Sequence, residues 1–225
     1  MSDRKKSLSP LRVSPQPVLK IPKSERTRAA ILNAALDFLW SQPFRDMTVN
    51  EVMASAGASR AAFYQYFSDL HTLMETLLDM VQEEIFDACS PWVTGVGDPV
   101  ALMGEALAGL VQVGYERGPF LRAITDAAAA DRRFEEAWRQ FLGRFDDAAS
   151  ARIEADQEQG LIPDFDPYSV MFALNRLDAY TLISAFGQHP RKEPGPVRDA
   201  LTQIWCSTLY GVEYLGKRSS QLVRS

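Results

Sequence analysis

The sequence predicts an all-α protein: a small N-terminal three-helix unit with a helix-turn-helix, then a larger helical bundle, about nine helices together. Three observations carry this. Apolar residues recur at i, i+3, i+4 spacing along most of the chain. No segment shows the sustained apolar–polar alternation of a half-buried strand. Proline, glycine and capping residues fall where helices should start and stop.

Residues 1–22 are rich in Ser, Pro and basic residues, and Pro10, Pro15, Pro17 and Pro22 interrupt any helix, so this stretch reads as a disordered basic arm. From Ser24, the residues Ile31, Ala34, Ala35, Phe38 and Leu39 form one apolar stripe of a helix ending before Pro43. Thr48-Val49-Asn50-Glu51 has the form of a capping box, and Val49, Val52, Met53 and Ala56 follow as a short apolar face. Gly57 suits a left-handed exit from that helix. Ser59 caps a third short helix through Phe67, with Ala62, Phe63, Tyr66 and Phe67 facing inward. Asp69 caps a longer fourth helix, carrying Leu70, Leu73, Leu77, Met80, Val81 and Ile85 as far as Pro91.

Asp98-Pro99 opens a helix to Tyr115, Gly118-Pro119 breaks it, and another short helix runs to about Ala128. A long helix from about Asp131 to Gly160 bears Phe134, Trp138, Phe141, Leu142 and Phe145 on one side. Pro167 opens a helix to about Phe186, residues 188–195 form a loop, and 196–214 make the last helix. The expected divisions are 1–22 for the arm, 23–70 for the small unit and 71–225 for the bundle.

Composition narrows the function classes. The chain has 225 residues, 46% apolar and 24% charged, as in ordinary globular proteins. It has no apolar run of membrane-spanning length, and its N-terminus lacks the apolar core of a secretory signal, so a cytoplasmic location is expected. Cys89 and Cys206 make no disulfide framework, and neither His71 nor His189 stands at zinc-ligand spacing; no metal and no cofactor are expected. Net charge is −5, but its distribution is uneven. Residues 1–70 hold ten Lys/Arg against six Asp/Glu, net +4, which leaves −9 for residues 71–225. A local basic surface suffices to attract phosphates, although a solvated basic tail on an acidic domain would show the same split.

Two short helices joined by Ala56-Gly57-Ala58-Ser59 have the order of a helix-turn-helix. A recognition helix must enter a major groove about 12 Å wide, so its outer face must be slim and polar near its N-terminus. Ser59, Arg60, Ala61 and Gln65 satisfy this, while Tyr64 and Tyr66 can offer hydroxyls to phosphates. The plain alternative is a helical hairpin without a DNA role.

Residues 24–75 resemble the DNA-binding domain of the TetR family. The resemblance rests on Arg28-x-x-Ile31-x-x-Ala34-Ala35, Thr48-Val49, Ala54-x-x-Gly57-x-Ser59, Phe63-Tyr64-x-Tyr66-Phe67 and Leu73. It implies that Thr48, Ser59, Arg60, Tyr64 and Tyr66 contact DNA, with Thr27 and Arg28 near the phosphate backbone. The family commonly places a phosphate-binding Lys just after the aromatic pair, where this chain has Leu70 and then His71. That contact is expected to move to the N-terminus of the fourth helix or, preferably, to the basic arm.

Later motifs are similar to one branch of the family, the mycobacterial ethionamide-resistance regulators. They are Leu174-Asn175-Arg176-Leu177-Asp178, Thr181-Leu182-x-Ser184-Ala185-Phe186, Ile204-Trp205-x-x-x-Leu209-Tyr210-Gly211, and the spacing of Trp138, Phe141, Leu142 and Phe145. The resemblance implies an aromatic-lined apolar tunnel polarised by two asparagines. Asn175 matches one, and Asp178 replaces the other. Asn175, Asp178 and Thr181 share one helical side, with Met171, Phe172, Leu174 and Leu182 nearby. A carboxylate facing an apolar cavity must be neutralised or paired, so Asp178 is a candidate for a ligand amine or hydroxyl. Alternatively it pairs with Arg176 at the surface, and Trp138, Phe141, Phe145 and Trp205 are plain core.

One recognition helix buries too little to find one genomic site, so a homodimer on a palindromic operator is expected. The resemblance assigns dimerisation to 167–186 and 196–214, where Ala173, Leu177, Ala185, Leu201, Thr208 and Leu209 suit an interface. The expected function is a ligand-responsive DNA-binding transcriptional regulator, a repressor released by a small apolar or amphipathic ligand. The alternative is a helical ligand-binding or protein-interaction module without operator binding. An enzyme is not expected, since no nucleophile elbow, zinc motif or phosphate loop occurs. Glu135-Glu136 and Asp146-Asp147 read as solvated carboxylates, because adjacent helical positions point apart.

Overall fold

A computed structural model describes residues 22–211; the expected basic arm, apart from Pro22, and the chain after Gly211 lie outside the described residues. The elements are α1 (Lys23–Leu39), a 3-10 turn (Phe44–Asp46), α2 (Val49–Ser55), α3 (Arg60–Tyr66), α4 (Leu70–Thr94), α5 (Pro99–Ala128), α6 (Arg132–Glu158), α7 (Pro167–Phe186) and α8 (Pro194–Tyr210). Among the described residues there is no strand, and no helix is long and apolar enough to cross a membrane.

Among the described residues eight α-helices stand where nine were expected: the break at Gly118-Pro119 is absent, so two expected helices are one, and the stop at Pro91 is absent too, which lengthens α4 to Thr94. Pro91 lies inside α4 and Pro119 inside α5. A proline within a helix leaves the carbonyl four residues earlier without its N–H partner. Each orphan here has a substitute. Asp87 O accepts from the Ser90 hydroxyl at 2.8 Å. Tyr115 O accepts from Arg191 Nη1 at 2.8 Å, a residue of the loop between α7 and α8. Gly118 has its own reason: a Cβ there would sit 2.5 Å from the carbonyl oxygen of Phe186, so its bare backbone lets α5 and α7 touch.

One apolar core runs from Ile31, Val52 and Phe63 in the small unit through Leu73 and Leu77 of α4 to Phe186 and Leu209. Polar clasps reinforce the junction. His71 Nε2 lies 2.7 Å from Asp131 Oδ2, and its ring stacks on Phe134 at 4.7 Å. Arg133 grips Glu75 with two hydrogen bonds of 2.6 Å. The Arg191 guanidinium is sandwiched between Tyr115, 3.8 Å from its ring centre, and Trp40 at the end of α1, 4.7 Å away.

The faces of α7 and α8 differ from expectation. Ala185, Leu201 and Leu209 are buried within the chain, because these helices turn their aliphatic rows onto α5. The outward row instead holds Tyr168, Phe172 and Tyr180 of α7 and Ile204 of α8, with Ala173 and Thr208 beside them.

Candidate DNA-binding wedge and ligand cavity

The wedge is built from two caps and one turn. Thr48 caps α2 with a complete capping box: its hydroxyl accepts from Glu51 N at 3.3 Å, and its own N–H donates to Glu51 Oε2 at 3.1 Å. The helix ends in a Schellman turn. Gly57 has φ of +64°, its N–H reaches Ala54 O, and the Ala58 N–H reaches Met53 O at 3.1 Å. Any side chain at residue 57 would meet open space but a strained backbone, so glycine is required for its torsion. Ser59 then caps α3 by accepting from Ala62 N. Phe63, fully buried, and Phe67 pin α3 to the core, which leaves Ser59, Arg60, Ala61, Tyr64 and Gln65 exposed on the other side.

Arg60 is held ready. Its Nη1 donates to Asn50 Oδ1 at 3.0 Å and its Nη2 to Tyr64 Oη at 3.3 Å. Thr48 is exposed, Tyr66 is half-buried, and Arg28 lies over the Phe67 ring at 5.8 Å. The half-buried Thr27 spends its hydroxyl on Lys23 O.

Within the bundle a cavity of about 90 Å³ lies between α4, α5, α6, α7 and α8. Aromatic rings form much of its wall: Phe86 stacks on Phe145 at 4.6 Å, Trp138 stacks on Phe141 at 5.0 Å, and Phe141 meets Phe145 edge-on. Asn175 and Asp178 are its strongly polar lining residues. Asp178 is 5% exposed, and Trp205 Nε1 donates to both its oxygens at 3.1 Å. Burial pushes its carboxyl up to about 7, with the indole N–H working the other way. Cys89, also in the wall, has its thiol pushed up to about 12 by burial and by Asp178.

A second carboxylate of the bundle is buried as well. Asp146, expected in solvent, is fully buried because Arg176 Nη1 reaches its two oxygens at 2.6 and 2.5 Å and Asn175 Nδ2 at 2.7 Å. Arg176 therefore pairs with Asp146 and not with Asp178.

The family description "Bacterial regulatory proteins, tetR family" matches residues 31–76, and "Transcriptional regulator EthR, C-terminal domain" matches residues 103–211, together more than half of the chain. The chain belongs to the TetR family. Its arrangement is of the EthR type. The HTH-type transcriptional regulator EthR of Mycobacterium tuberculosis is 29% identical over 84% of this chain and 90% of its own. The Mycolicibacterium smegmatis EthR is 26% identical over 87% and 91%. In fold, the chain is similar to a TetR-family regulator from Rhodococcus sp., with a TM-score of 0.69, 18% identity, and coverage of 82% of this chain and 99% of that one. This TetR-family chain is a DNA-binding transcriptional regulator and not an enzyme.

Of the ligand residues expected in this TetR-family chain, Trp138, Phe141, Leu142, Phe145, Asn175, Asp178 and Trp205 line the cavity. Phe172 does not. It is half exposed, with the Arg176 guanidinium 3.7 Å from its ring centre, because it stands about 120° around α7 from the buried Asp178. The wall formed by α4, notably Phe86, Cys89 and Val93, was not anticipated. Their spacing of three and four residues was a second apolar stripe on that helix. Asn50 was missed as well, since its partner Arg60 lies ten residues away across the turn.

The position of the missing family Lys is now defined. Leu70 is half-buried against the core, and Asp69 places its carboxylate on Thr72 N at 2.7 Å, which caps the start of α4. That hydrogen bond holds the Asp69 carboxyl below its ordinary range, so an anion occupies the helix end. It takes up the N–H that a phosphate would otherwise use, and the Arg133 guanidinium lies 3.4 Å from its other oxygen.

Proposed function

We propose that the chain represses transcription as a homodimer on a palindromic operator and is released by a small apolar or amphipathic ligand bound between α4 and α8. The carrying observation is α3: its inner face is locked by Phe63, while its outer face presents Ser59, Arg60, Ala61, Tyr64 and Gln65 to solvent. That is the slim polar tip a major groove admits. Thr48, Tyr66, Thr27 and Arg28 flank it as candidate phosphate contacts. The outward row of Tyr168, Phe172, Tyr180 and Ile204 on α7 and α8 is the candidate dimer face, and a cytoplasmic location accords with this role. The division at about residue 70 separates reader from sensor, with α4 belonging to both.

The cavity supports the sensor half. An apolar cavity of roughly 150 Å³ accepts benzene, so at about 90 Å³ this one must widen for any larger ligand. Widening moves the α4 wall, and α4 begins beside the wedge. A ligand that favours the widened state lowers operator affinity by its differential affinity for the two states.

Selection of bound genomic fragments, followed by shift assays, tests this reading. Wild type is expected to retard a palindromic fragment, Tyr64→Ala to lose about tenfold or more in affinity, and Phe145→Gln to keep DNA binding while losing release by ligand. Absence of preference for any duplex over bulk competitor at low salt overturns the proposal.

A further inference from the structure

The polar side of the cavity centres on the Asp178 carboxylate and the Asn175 amide. Asn175 must turn its amide NH₂ toward the Asp146 carboxylate, which can only accept, and the bond is 2.7 Å long. Asn175 keeps Oδ1, an acceptor, and its second amide N–H. Asp178, three residues on and on the same side of α7, receives the Trp205 N–H, shared between its two oxygens. A carboxylate has about four acceptor positions, so most remain unfilled.

The basic side chains nearby are engaged elsewhere. Arg176 is bound to Asp146. Arg152 of α6 binds Asp156 and the carbonyls of Trp92 and Gly95. Arg144 of α6 binds Gln82, and Arg117 of α5 clasps Glu84 with two bonds. Among the described residues, Asp178 has no ion pair.

We propose that the cavity selects a small amphipathic amine, its hydrocarbon among the Phe86, Trp138, Phe141 and Phe145 rings and its ammonium shared between Asp178 and Asn175 Oδ1. This rests on the reading of the cavity as a ligand site. A primary ammonium has three N–H donors and no acceptor, the complement of the Asp178 oxygens and Asn175 Oδ1. It also supplies the counter-charge that an anionic Asp178 lacks. An alcohol brings one neutral donor, and hydrogen bonds to ionised groups are roughly twice as strong as neutral ones. A fatty acid brings a second anion beside the first and is rejected.

The pH dependence follows from the wall. Asp178 and Cys89 are the titratable groups lining the cavity among the described residues; the lining residues of α5 and α6 have none. The thiol stays protonated below about 12. Asp178 changes charge near 7, whereas an alkylammonium stays charged throughout. Amine affinity therefore rises from pH 6 to pH 8, with release of a proton from Asp178.

The test titrates the full chain with hexylamine, 1-hexanol and hexanoate by calorimetry and tryptophan fluorescence, without DNA. At pH 8, hexylamine is expected to bind about tenfold or more tightly than hexanol, and hexanoate most weakly. The advantage shrinks at pH 6. Asp178→Asn is expected to abolish it while retaining hexanol. Should that variant fail to fold, Asn175→Ala replaces it, expected to weaken hexylamine severalfold and to spare hexanol. Binding of none of the three probes, equal or tighter binding of hexanol or hexanoate, or an unchanged amine preference in the variants overturns the proposal. Operator binding is read separately: a chain that binds duplex but shows no amine preference refutes only the ligand class. One that prefers hexylamine but binds no duplex refutes the regulator reading.

Discussion

Asp146 and Asp178 show how differently one side-chain type is treated at two buried positions of the bundle. Asp146 has a guanidinium and an amide on its oxygens, and Asp178 has an indole N–H. Burial raises the Asp178 carboxyl to about 7, so between about pH 4 and pH 7 the native state holds a proton that the unfolded chain has released. The contribution of this group to stability is complete below pH 4 and is lost as pH rises through 7, at up to about 1.4 kcal/mol per pH unit. Asp178→Asn removes that slope. Thermal melts are expected to show the variant becoming more stable relative to wild type from pH 5 to pH 8; a difference independent of pH would place Asp178 in contact with an unrecognised cation. The residue itself was legible in the sequence as a carboxylate amid apolar neighbours, but its partner was not. Trp205 lies 27 positions away on another helix, and no local pattern pairs an Asp with a distant indole.

Elements were more legible than their ends. Caps at Thr48, Ser59, Asp69 and Asp98 all formed, since each is decided by a few neighbouring residues. Pro91 and Pro119 misled, because whether proline ends a helix depends on what receives the orphaned carbonyl. Arg191 does this for Tyr115 from 76 residues away. Facing rows were the least legible: Ala185 and Phe172 are both apolar, and only the position of α5 sends one inward and the other out. The pairing of α6 with α7 yields a prediction at this scale. Arg176→Met leaves the fully buried Asp146 without its cation and is expected to cost about 2–4 kcal/mol in denaturant unfolding. Adding Asp146→Asn is expected to recover part of that loss; strictly additive losses would mean the pair is not coupled.

Across the whole molecule, charge is sorted by role, with +4 over residues 1–70 and −9 over the remainder. An acidic body discourages promiscuous DNA contact, so affinity must come from a few local cations. Five of them, Arg4, Lys5, Lys6, Arg12 and Lys20, belong to the arm. Removal of residues 1–22 is expected to weaken operator binding and to flatten its dependence on salt, by about one unit of slope for each phosphate that the arm neutralises. Identical slopes for full and shortened chains would assign the missing family lysine's role elsewhere. The Arg191 sandwich bears on the same scale. The guanidinium that satisfies the Tyr115 carbonyl also rests on Trp40, at the end of α1. Reader and body therefore share a fastening remote from α4. Losing the guanidinium would free the Tyr115 carbonyl and the indole together, so the pitch of the reading head is braced at two points and Arg191 is one of them.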